Sequence, residues 1–385
     1  MVRRTVSMLL LLGAACDTPW KPPTVIEGLR VIGVRAEPPE VKPGETSSLE
    51  ALVLDPTRPG EATTMVWLAC EPDPYGAGRG ACNDLASIGD QNALIDSMNL
   101  PEGVKLIGLG NRASFSTPAN LFDVLEPGDD RRLKGTVATI ASLAVGADVP
   151  LTAPPQELQK VLEKVQSKEI SSVLTLFRVR VSENAPANVN PVIDEFVIDG
   201  EKLPRGATVM IHPYVDHVLD LEAHDAEVFD EILPTGEVEQ REERLVASWY
   251  SNVGRFNPDR AALGSDVKVK FTGPGDLRNN DEVPMNRRGT FWGVLRDSRG
   301  GQVWSSWPFF ICDLNRPWPR VTQVEHTGTQ VILRGENLDQ ILDVVSNGAA
   351  VPGAFSASQG TWSGNDAPEP LELRTRGCGR VAVAQ

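Results

Sequence analysis

The sequence contains no apolar run of the roughly 20 residues that a membrane-spanning helix needs. Basic residues are in deficit, with 37 Lys and Arg against 52 Asp and Glu, which gives a net charge of −15. Such a chain repels phosphate backbones, so we predict no nucleic-acid partner. The motifs Gly-x-Ser-x-Gly, His-Glu-x-x-His and Gly-x-x-x-x-Gly-Lys are missing. We therefore assign no catalytic residue and no cofactor.

Cysteine is scarce, with five in 385 residues. Cys16 directly follows an N-terminal signal, and the other four allow three disulfide pairings. An even number of cysteines in an oxidising compartment is typical of disulfides. We favour Cys70–Cys82 and Cys312–Cys378, because each pair is close in sequence or joins neighbouring modules. A metal site is the alternative, but no Cys-x-x-Cys occurs and no histidine is near, so we predict no bound metal.

The first fifteen residues have the order of a secretory signal: basic Arg3 and Arg4, an apolar run, and small residues before Cys16. The stretch Leu-Gly-Ala-Ala-Cys resembles a bacterial lipobox. The resemblance implies cleavage before Cys16 and a lipid on its sulfur, although Gly13 stands where lipoboxes usually carry Leu, Val or Ile. The alternative is an ordinary signal peptide with an incidental cysteine.

This resemblance implies a protein of the bacterial cell envelope, anchored in the outer or inner membrane and facing the periplasm or the cell surface. Residues 16–27, rich in proline, are predicted to form a tether. Removal of the signal leaves 35 basic and 52 acidic residues, a net charge of −17. A chain this acidic does not bind anionic headgroups by charge, so the lipid is the expected anchor.

Short β-rich runs between Pro and Gly turns predict a mainly β chain built from sandwiches. In residues 28–182 the clearest strands are Leu29–Arg35, Ser48–Leu54, Thr64–Cys70 and Ser172–Val181. The motif Ala36–Glu45 resembles the turn before the second strand of bacterial immunoglobulin-like domains. This resemblance implies that Trp67 is the core tryptophan of the third strand.

Residues 83–170 fit a plain sandwich poorly, and we predict a helical insertion there. Apolar residues recur at helical spacing within Pro154–Gln166. Asp90–Met98 is a second candidate helix, whereas the β-branched start of Thr136–Val145 favours a strand. Such an insertion is a place for specific function, or else it covers a sheet edge or fills a gap in the core.

A linker rich in Asn, Ala and Pro, Ser182–Pro191, precedes a second domain over residues 192–314. Its predicted strands are Val192–Ile198, Ala207–His212, His217–Ala223, Leu245–Ser251, Val267–Phe271, Thr290–Asp297 and Gln302–Ile311. The run Gly293–Gly301 resembles the last hairpin of immunoglobulin-like and PKD-type domains. Because both domains contain an opening strand, a turn, a strand and then a tryptophan strand, we predict a tandem pair.

Residues 320–385 form a third, small module. The sequence Gly335-Glu336-Asn337-Leu338 resembles the end of the second strand of an IPT/TIG domain. The rest of the tail is short and polar, so we expect a truncated module held by Cys378. The whole layout resembles acidic surface lipoproteins of the myxobacterial type.

Trp304 and Trp307 are the candidate binding residues. Their opposite parity on one strand lets one indole face outward, where it can stack on a sugar or anchor a protein. The alternative is that both build the core.

Two further groups of residues are candidate metal sites. His212, His217 and His224 are close in sequence, but their parity and the break at Pro213 predict separate histidines. The acidic segments Asp123–Asp130 and Asn279–Glu282 are candidate calcium loops, although neither has the Asp-x-Asp-x-Asp-Gly pattern, and solvated turns are the alternative.

These features predict a lipid-anchored, non-catalytic binding or scaffold protein of the cell envelope, acting through a protein or glycan partner. The first alternative is an envelope hydrolase of glycan or peptide with its site in residues 83–170, because carboxylate pairs leave no linear signature. The second is a calcium-dependent adhesin.

Overall fold

The computed structural model describes residues 22–75, 103–149, 155–224, 226–233, 235–275 and 282–383. Most of the elements in these ranges are β-strands, and they form three β-sandwiches in chain order. Within the same ranges, no helix has the length and apolar character needed to cross a membrane.

The first domain consists of two packed sheets. Its elements in chain order are β1 (Arg30–Glu37), β2 (Glu40–Val41), β3 (Thr46–Leu54), β4 (Thr64–Cys70), β5 (Val104–Leu109), β6 (Arg112–Ser116), α1 (Asp130–Lys134), β7 (Thr136–Val145), α2 (Pro155–Gln166) and β8 (Ser172–Val181). One sheet has the strand order β1-β3-β6, and the other has the order β2-β8-β7-β4-β5. Pairing is antiparallel except between β2 and β8, which are parallel.

The core of this domain follows from alternation along its strands. Leu49 and Ala51 of β3 are buried, while Ser48 between β3 core positions is exposed. Trp67 of β4 is fully buried between the sheets, and its Nε1 donates a hydrogen bond of 2.7 Å to the carbonyl oxygen of Gly110. Trp67 therefore occupies the core position that the resemblance implied.

The predicted helical insertion over 83–170 is wrong in extent. Residues 104–145 supply β5, β6 and β7, which complete the two sheets. Strand β7 is buried along most of its length because the core covers one face and α2 covers the other, so its sequence lacks clear alternation. Helix α2 lies where its periodicity predicted it, and Val165 packs on Leu143 and Val145. Asp90–Met98 and Cys82 lie outside the described residues.

The second domain is also a two-sheet sandwich. Its strands are β9 (Val192–Ile198), β10 (Glu201–Lys202), β11 (Val209–Ile211), β12 (Asp216–His224), β13 (Val228–Ile232), β14 (Val238–Glu242), β15 (Val246–Ser251), β16 (Arg255–Phe256), β17 (Arg260–Ala262), β18 (Val269–Thr272), β19 (Arg288–Arg296) and β20 (Gln302–Ile311). The sheets have the orders β10-β9-β12-β18-β16 and β11-β20-β19-β15-β17. Strands β13 and β14 form a separate hairpin that the sequence did not predict.

The first two domains share one strand order. In each, the opening strand pairs with the next long strand, β1 with β3 and β9 with β12. A short strand then joins the other sheet and pairs parallel with the last strand, β2 with β8 and β11 with β20. A fully buried tryptophan lies on the corresponding strand of each, Trp67 on β4 and Trp249 on β15. This arrangement is that of immunoglobulin-like sandwiches, so the predicted tandem fold is confirmed.

The C-terminal part forms a complete small sandwich, so the expectation of a truncated module is wrong. Its strands are β21 (Arg320–His326), β22 (Gln330–Glu336), β23 (Ile341–Ser346), β24 (Ala349–Val351), β25 (Gly353–Ser356), β26 (Thr361–Asn365), β27 (Leu371–Thr375) and β28 (Arg380–Ala382), and a 3₁₀ turn spans Leu338–Gln340. They form sheets of order β21-β22-β26-β25 and β24-β23-β27-β28 around a separate core that includes Leu333, Val344 and Trp362. Its strands are short and their outward residues are polar, so the sequence shows no clear alternation of apolar and polar residues over this region.

The third domain is attached to the second by covalent and polar contacts. The Cys312–Cys378 disulfide is confirmed, with Cα atoms 5.4 Å apart. Asp343 accepts hydrogen bonds from the backbone N–H of Thr208 (2.8 Å) and from its hydroxyl (3.2 Å). Cys70 is also disulfide-bonded, and its pairing with Cys82 stays a prediction.

The described part of the predicted tether, residues 22–27, is not a free linker. Val25 bridges Ser251 at the end of β15, in parallel orientation. The N–H of Ile26 donates to Ser251 (2.8 Å), and the N–H of Ser251 donates to Thr24 (3.1 Å). A turn closed by the hydrogen bond from Val25 N–H to Pro22 precedes this contact. The buried side chain of Ile26 holds the segment against the second domain. Composition alone does not distinguish this residue from the rest of a proline-rich tether.

Candidate functional site

The contact between the first and second domains has an apolar half and a charged half, and we call it the junction. In the apolar half, Ile26, Ile32 and Val294 are buried together. The side chains that pack around them come from both domains: Leu52, Leu54, Tyr250, Trp292 and Trp304. The N-terminal segment therefore completes an interdomain core.

The charged half is centred on Arg299, in the turn between β19 and β20. Its guanidinium contacts carboxylate oxygens of Glu40 (2.7 Å), Glu227 (3.1 Å) and Glu243 (3.5 Å). The ring of Phe229 lies 4.8 Å from the guanidinium carbon. We call Arg299, Glu40, Glu227 and Glu243 the Arg299 cluster. One cation facing three carboxylates in a buried site is costly to assemble and more costly to break.

Glu40 connects the first domain to the Arg299 cluster. Its side chain is 1% exposed. It accepts hydrogen bonds from the Ser182 hydroxyl (2.5 Å) and the Asn188 backbone N–H (2.8 Å), and Arg180 lies 3.4 Å away. Thus a single carboxylate is bonded to the first domain, to the connecting segment and to the second domain.

The connecting segment Ser182–Pro191 is itself fixed at the junction. Asn190 donates to the carbonyl oxygen of Ala36 (2.7 Å) and accepts from the N–H of Gln302 (2.8 Å). Asn188 donates to Asp297 (3.2 Å), whose carboxylate also accepts from the backbone N–H groups of Arg299, Gly300 and Gly301. Asparagine in this segment therefore bridges the domains.

Burial shifts two carboxyl pKa values at the junction. It raises the pKa of Glu243 to about 7, against the lowering effects of a hydrogen bond from the Glu227 N–H and of the Arg299 charge. It also raises the pKa of Asp297, despite the hydrogen bonds that this carboxylate accepts. The negative charge of the junction consequently depends on pH near neutrality.

We expect the Glu243→Gln variant to be more stable than the wild type above pH 7. The folded-state pKa is raised from 4.5 to about 7, so the folded protein binds a proton that the unfolded chain releases. The wild type therefore loses stability as pH rises through this window, by about 1–2 kcal/mol after screening, and the variant does not. Urea unfolding at pH 5 and pH 8 measures the difference.

The matched control for this experiment is Glu242→Gln, at the exposed neighbouring position on β14. It should follow the wild-type pH dependence. Equal pH slopes for the wild type and the Glu243→Gln variant would contradict the assignment of the buried proton to Glu243.

Beside the Arg299 cluster lies a crevice of about 180 Å³, between α1, β8 and the β13–β14 hairpin. Its carboxylates, Asp230 and Glu231, are adjacent on β13 and point to opposite faces of the strand. The predicted insertion, residues 83–170, contributes Leu133 and Lys134 to the wall of the crevice. The crevice is smaller than the roughly 300–1,000 Å³ of ordinary ligand pockets. It does not assemble the carboxylate pair that the hydrolase alternative requires.

The two candidate binding tryptophans are both packed. Trp307 faces the core of the second domain, with its ring centroid 4.7 Å from that of Phe196. Trp304 lies on the opposite face of the same strand, in line with the opposite parity of the two positions, but the first domain covers it. Arg35 lies 5.0 Å from its ring, and a side chain at Gly33 would meet the indole at 3.0 Å. Trp304 therefore contributes to the junction.

Two of the three clustered histidines lie together, contrary to expectation. The turn at Pro213 brings the ring centroids of His212 and His217 to 6.4 Å. His217 accepts from the His212 N–H (2.9 Å) through Nε2, and its Nδ1 lies 2.6 Å from Asp199. His224 lies elsewhere and contacts Asp194. Burial lowers the pKa of His212.

Of the two acidic segments, Asp123–Asp130 is described and Asn279–Glu282 largely is not. Asp129 caps α1 and accepts from the backbone and side chain of Arg131, which lower its pKa to about 2. In the part of the chain that the structure describes, no three His, Cys, Asp or Glu side chains form a group able to hold a metal ion.

The Arg299 cluster was missed because its members are far apart in sequence. The residues Ser298–Gly301 indicate a hairpin turn in the sequence, and Glu40 belongs to a motif that is typical of a turn. Neither pattern carries information about a contact across 259 residues. The sequence feature that could have indicated the contact between the domains is asparagine at positions 188 and 190 of the linker.

No protein family model matches the chain, and no curated protein is similar to it. Among solved structures, the three N-terminal domains of the bacteriophage RB49 highly immunogenic outer capsid protein match with 9% identity and a TM-score of 0.20, over 92% of this chain and 95% of that one. The Ig1-2 module of the Drosophila receptor protein tyrosine phosphatase DLAR matches with 9% identity and a TM-score of 0.21, over 74% and 100%. The Yersinia pseudotuberculosis adhesin InvE matches with 9% identity and a TM-score of 0.18, over 85% and 74%. The fold assignment rests on the strand order described above.

Proposed function

We propose that this chain is a lipid-anchored binding or scaffold protein of the bacterial cell envelope, without catalytic activity, that acts through a protein or glycan partner. The observation that carries the proposal is the docking of residues 24–26 on the second domain, a short distance in sequence after the lipobox-like motif. Buried contacts then join this domain to both neighbours. A series of fixed sandwiches next to an anchor suits presentation of a binding surface.

The spacing of the anchor supports this arrangement. Cys16 precedes Pro22 by six positions, and a chain of this length spans at most about 20 Å. A lipid on Cys16 would therefore hold the second domain beside the membrane. The net charge of −17 after signal removal favours solubility next to that membrane and argues against attachment through anionic lipids. The membrane that holds the anchor is the inner or the outer membrane of the envelope.

The Cys16→Ser variant tests the anchor. We expect a clearly larger soluble fraction of this variant than of the wild type, because the acyl chains are the main membrane contact. Fractionation of cells measures the distribution, and mass analysis of the mature N-terminus measures the lipid. An N-terminus without lipid in the wild type, or equal membrane fractions for the two proteins, would contradict the lipid anchor.

The binding role has a separate test. Cross-linking in intact envelopes followed by purification of the wild type should recover the same partner repeatedly, and glycan arrays cover the other partner class. Recovery of no reproducible partner by either method counts against a binding role.

A further inference from the structure

One end of the second domain carries exposed apolar side chains from two loops. Tyr214 and Val215, between β11 and β12, are 65% and 48% exposed, and Met285, just before β19, is fully exposed. The two loops are neighbours, because an added Cβ at Gly275 would lie 2.9 Å from Val283 and 3.9 Å from Pro213. We call Tyr214, Val215 and Met285 the apolar tip.

The apolar tip lies at the end of the sandwich where the N-terminal segment docks. Val25 pairs with Ser251, the last residue of β15, and Ser251 pairs with Phe291 near the start of β19. Met285 immediately precedes that start. Strand β11 leads into Tyr214 at the same level, since the Ile311 N–H donates to Arg287 and Ile311 is paired with Ile211.

The direction of the chain places the anchor at this end as well. Residues 24–26 run parallel to β15, toward Ser251. The turn closed by the hydrogen bond from Val25 N–H to Pro22 places Pro22, the first described residue, close to this docking point. The six residues back to Cys16 reach about 20 Å, which is enough for a lipid at Cys16 and the tip to meet one surface.

We propose that the apolar tip enters the interfacial region of the lipid bilayer that holds the acyl chains of Cys16. The inference rests on the proposed lipid anchor and adds a second membrane contact to it. Tyrosine is favoured at the membrane interface, and Val and Met gain from leaving water. The acyl chains hold the protein at one point, and a second contact also fixes the orientation of the second domain on the membrane. Because the chain is acidic, the attraction of the tip to the membrane comes from apolar contacts and not from charge.

Vesicle flotation of the full mature chain carrying Cys16→Ser tests the tip without the lipid. The vesicles contain phosphatidylethanolamine with a minority of phosphatidylglycerol. We expect measurable flotation that added salt does not reduce, because no ion pairs are involved. Adding Tyr214→Ser, Val215→Ser and Met285→Ser should lower the partition coefficient about tenfold or more, given the apolar area removed.

The matched control is Val228→Ser with Val238→Ser, two exposed apolar residues of the β13–β14 hairpin at a different place on the same domain. This control should float like its parent. The proposal is overturned if the Cys16→Ser chain does not float, if the tip variant floats equally well, or if the control loses as much binding as the tip variant.

The anchor is read separately, from the mass of the mature N-terminus in cells. If Cys16 carries no lipid, the proposed anchor fails, and the vesicle result alone decides whether the tip binds membranes. If Cys16 carries a lipid and the tip variant floats normally, the anchor stands and the tip proposal fails.

Discussion

The Arg299→Ala variant should lose about 3–5 kcal/mol of unfolding free energy, the usual cost of leaving buried charges without their partner. Arg299 is the cation that Glu40, Glu227 and Glu243 share. Its removal leaves Glu40, which belongs to the first domain, without its bond to the second domain. The two domains should therefore unfold in separate transitions where the wild type shows a coupled one. Guanidinium unfolding followed by tryptophan fluorescence and by calorimetry measures both effects.

Arg112→Ala is the control for this prediction. Arg112 makes one ion pair, with Glu50 at 3.0 Å, and its side chain is 80% exposed. Its loss should cost about 0–1 kcal/mol. If Arg299→Ala were no more costly than Arg112→Ala, the cluster would not hold the domains together. The Arg299→Lys variant should fall between the two, because it keeps the charge and loses the fork of donors.

The double variant Cys312→Ser, Cys378→Ser should lose roughly 4 kcal/mol, the loop-closure entropy of a cross-link over 66 residues. The cross-link ties the last strand of the second domain to the end of the third domain. Its loss should lower the protection of β22, β23 and β27 against hydrogen exchange and leave that of β4 and β7 unchanged. The unchanged strands serve as the internal control. An equal loss of protection in all three domains would contradict a local role for this disulfide.

Local patterns were sufficient for most strands of the first two domains. On β12, buried His217, Leu219 and Leu221 alternate with the more exposed Val218, Asp220 and Glu222, and this period-2 pattern is visible in sequence. Helix α2 and the turn at Ser298–Gly301 also follow from spacing and turn chemistry. In these cases one element buries one face, so the pattern of its residues identifies both the element and the face.

The junction could not be predicted, because its residues are selected by contacts between distant segments. Glu40 lies in the two-residue strand β2 and Arg299 in a turn, and charged residues at such places are normally exposed, but here both are buried where the two domains meet. Ile26 follows a proline-rich stretch typical of a tether, yet it fills an interdomain core. Trp304 lies on the outer face of β20, and the packing of the first domain and the N-terminal segment against β20 covers it.

The distance in sequence between the partners of the Arg299 cluster also determines when the junction can form. Glu40 and Arg299 are 259 residues apart. At usual rates of synthesis, Arg299 is made roughly 10–50 s after Glu40. During that interval Glu40 lacks Arg299 as a partner, and Ile32 lacks the side chains of the second domain that bury it. A nascent chain of this protein is therefore expected to depend on chaperone protection until its second domain is complete.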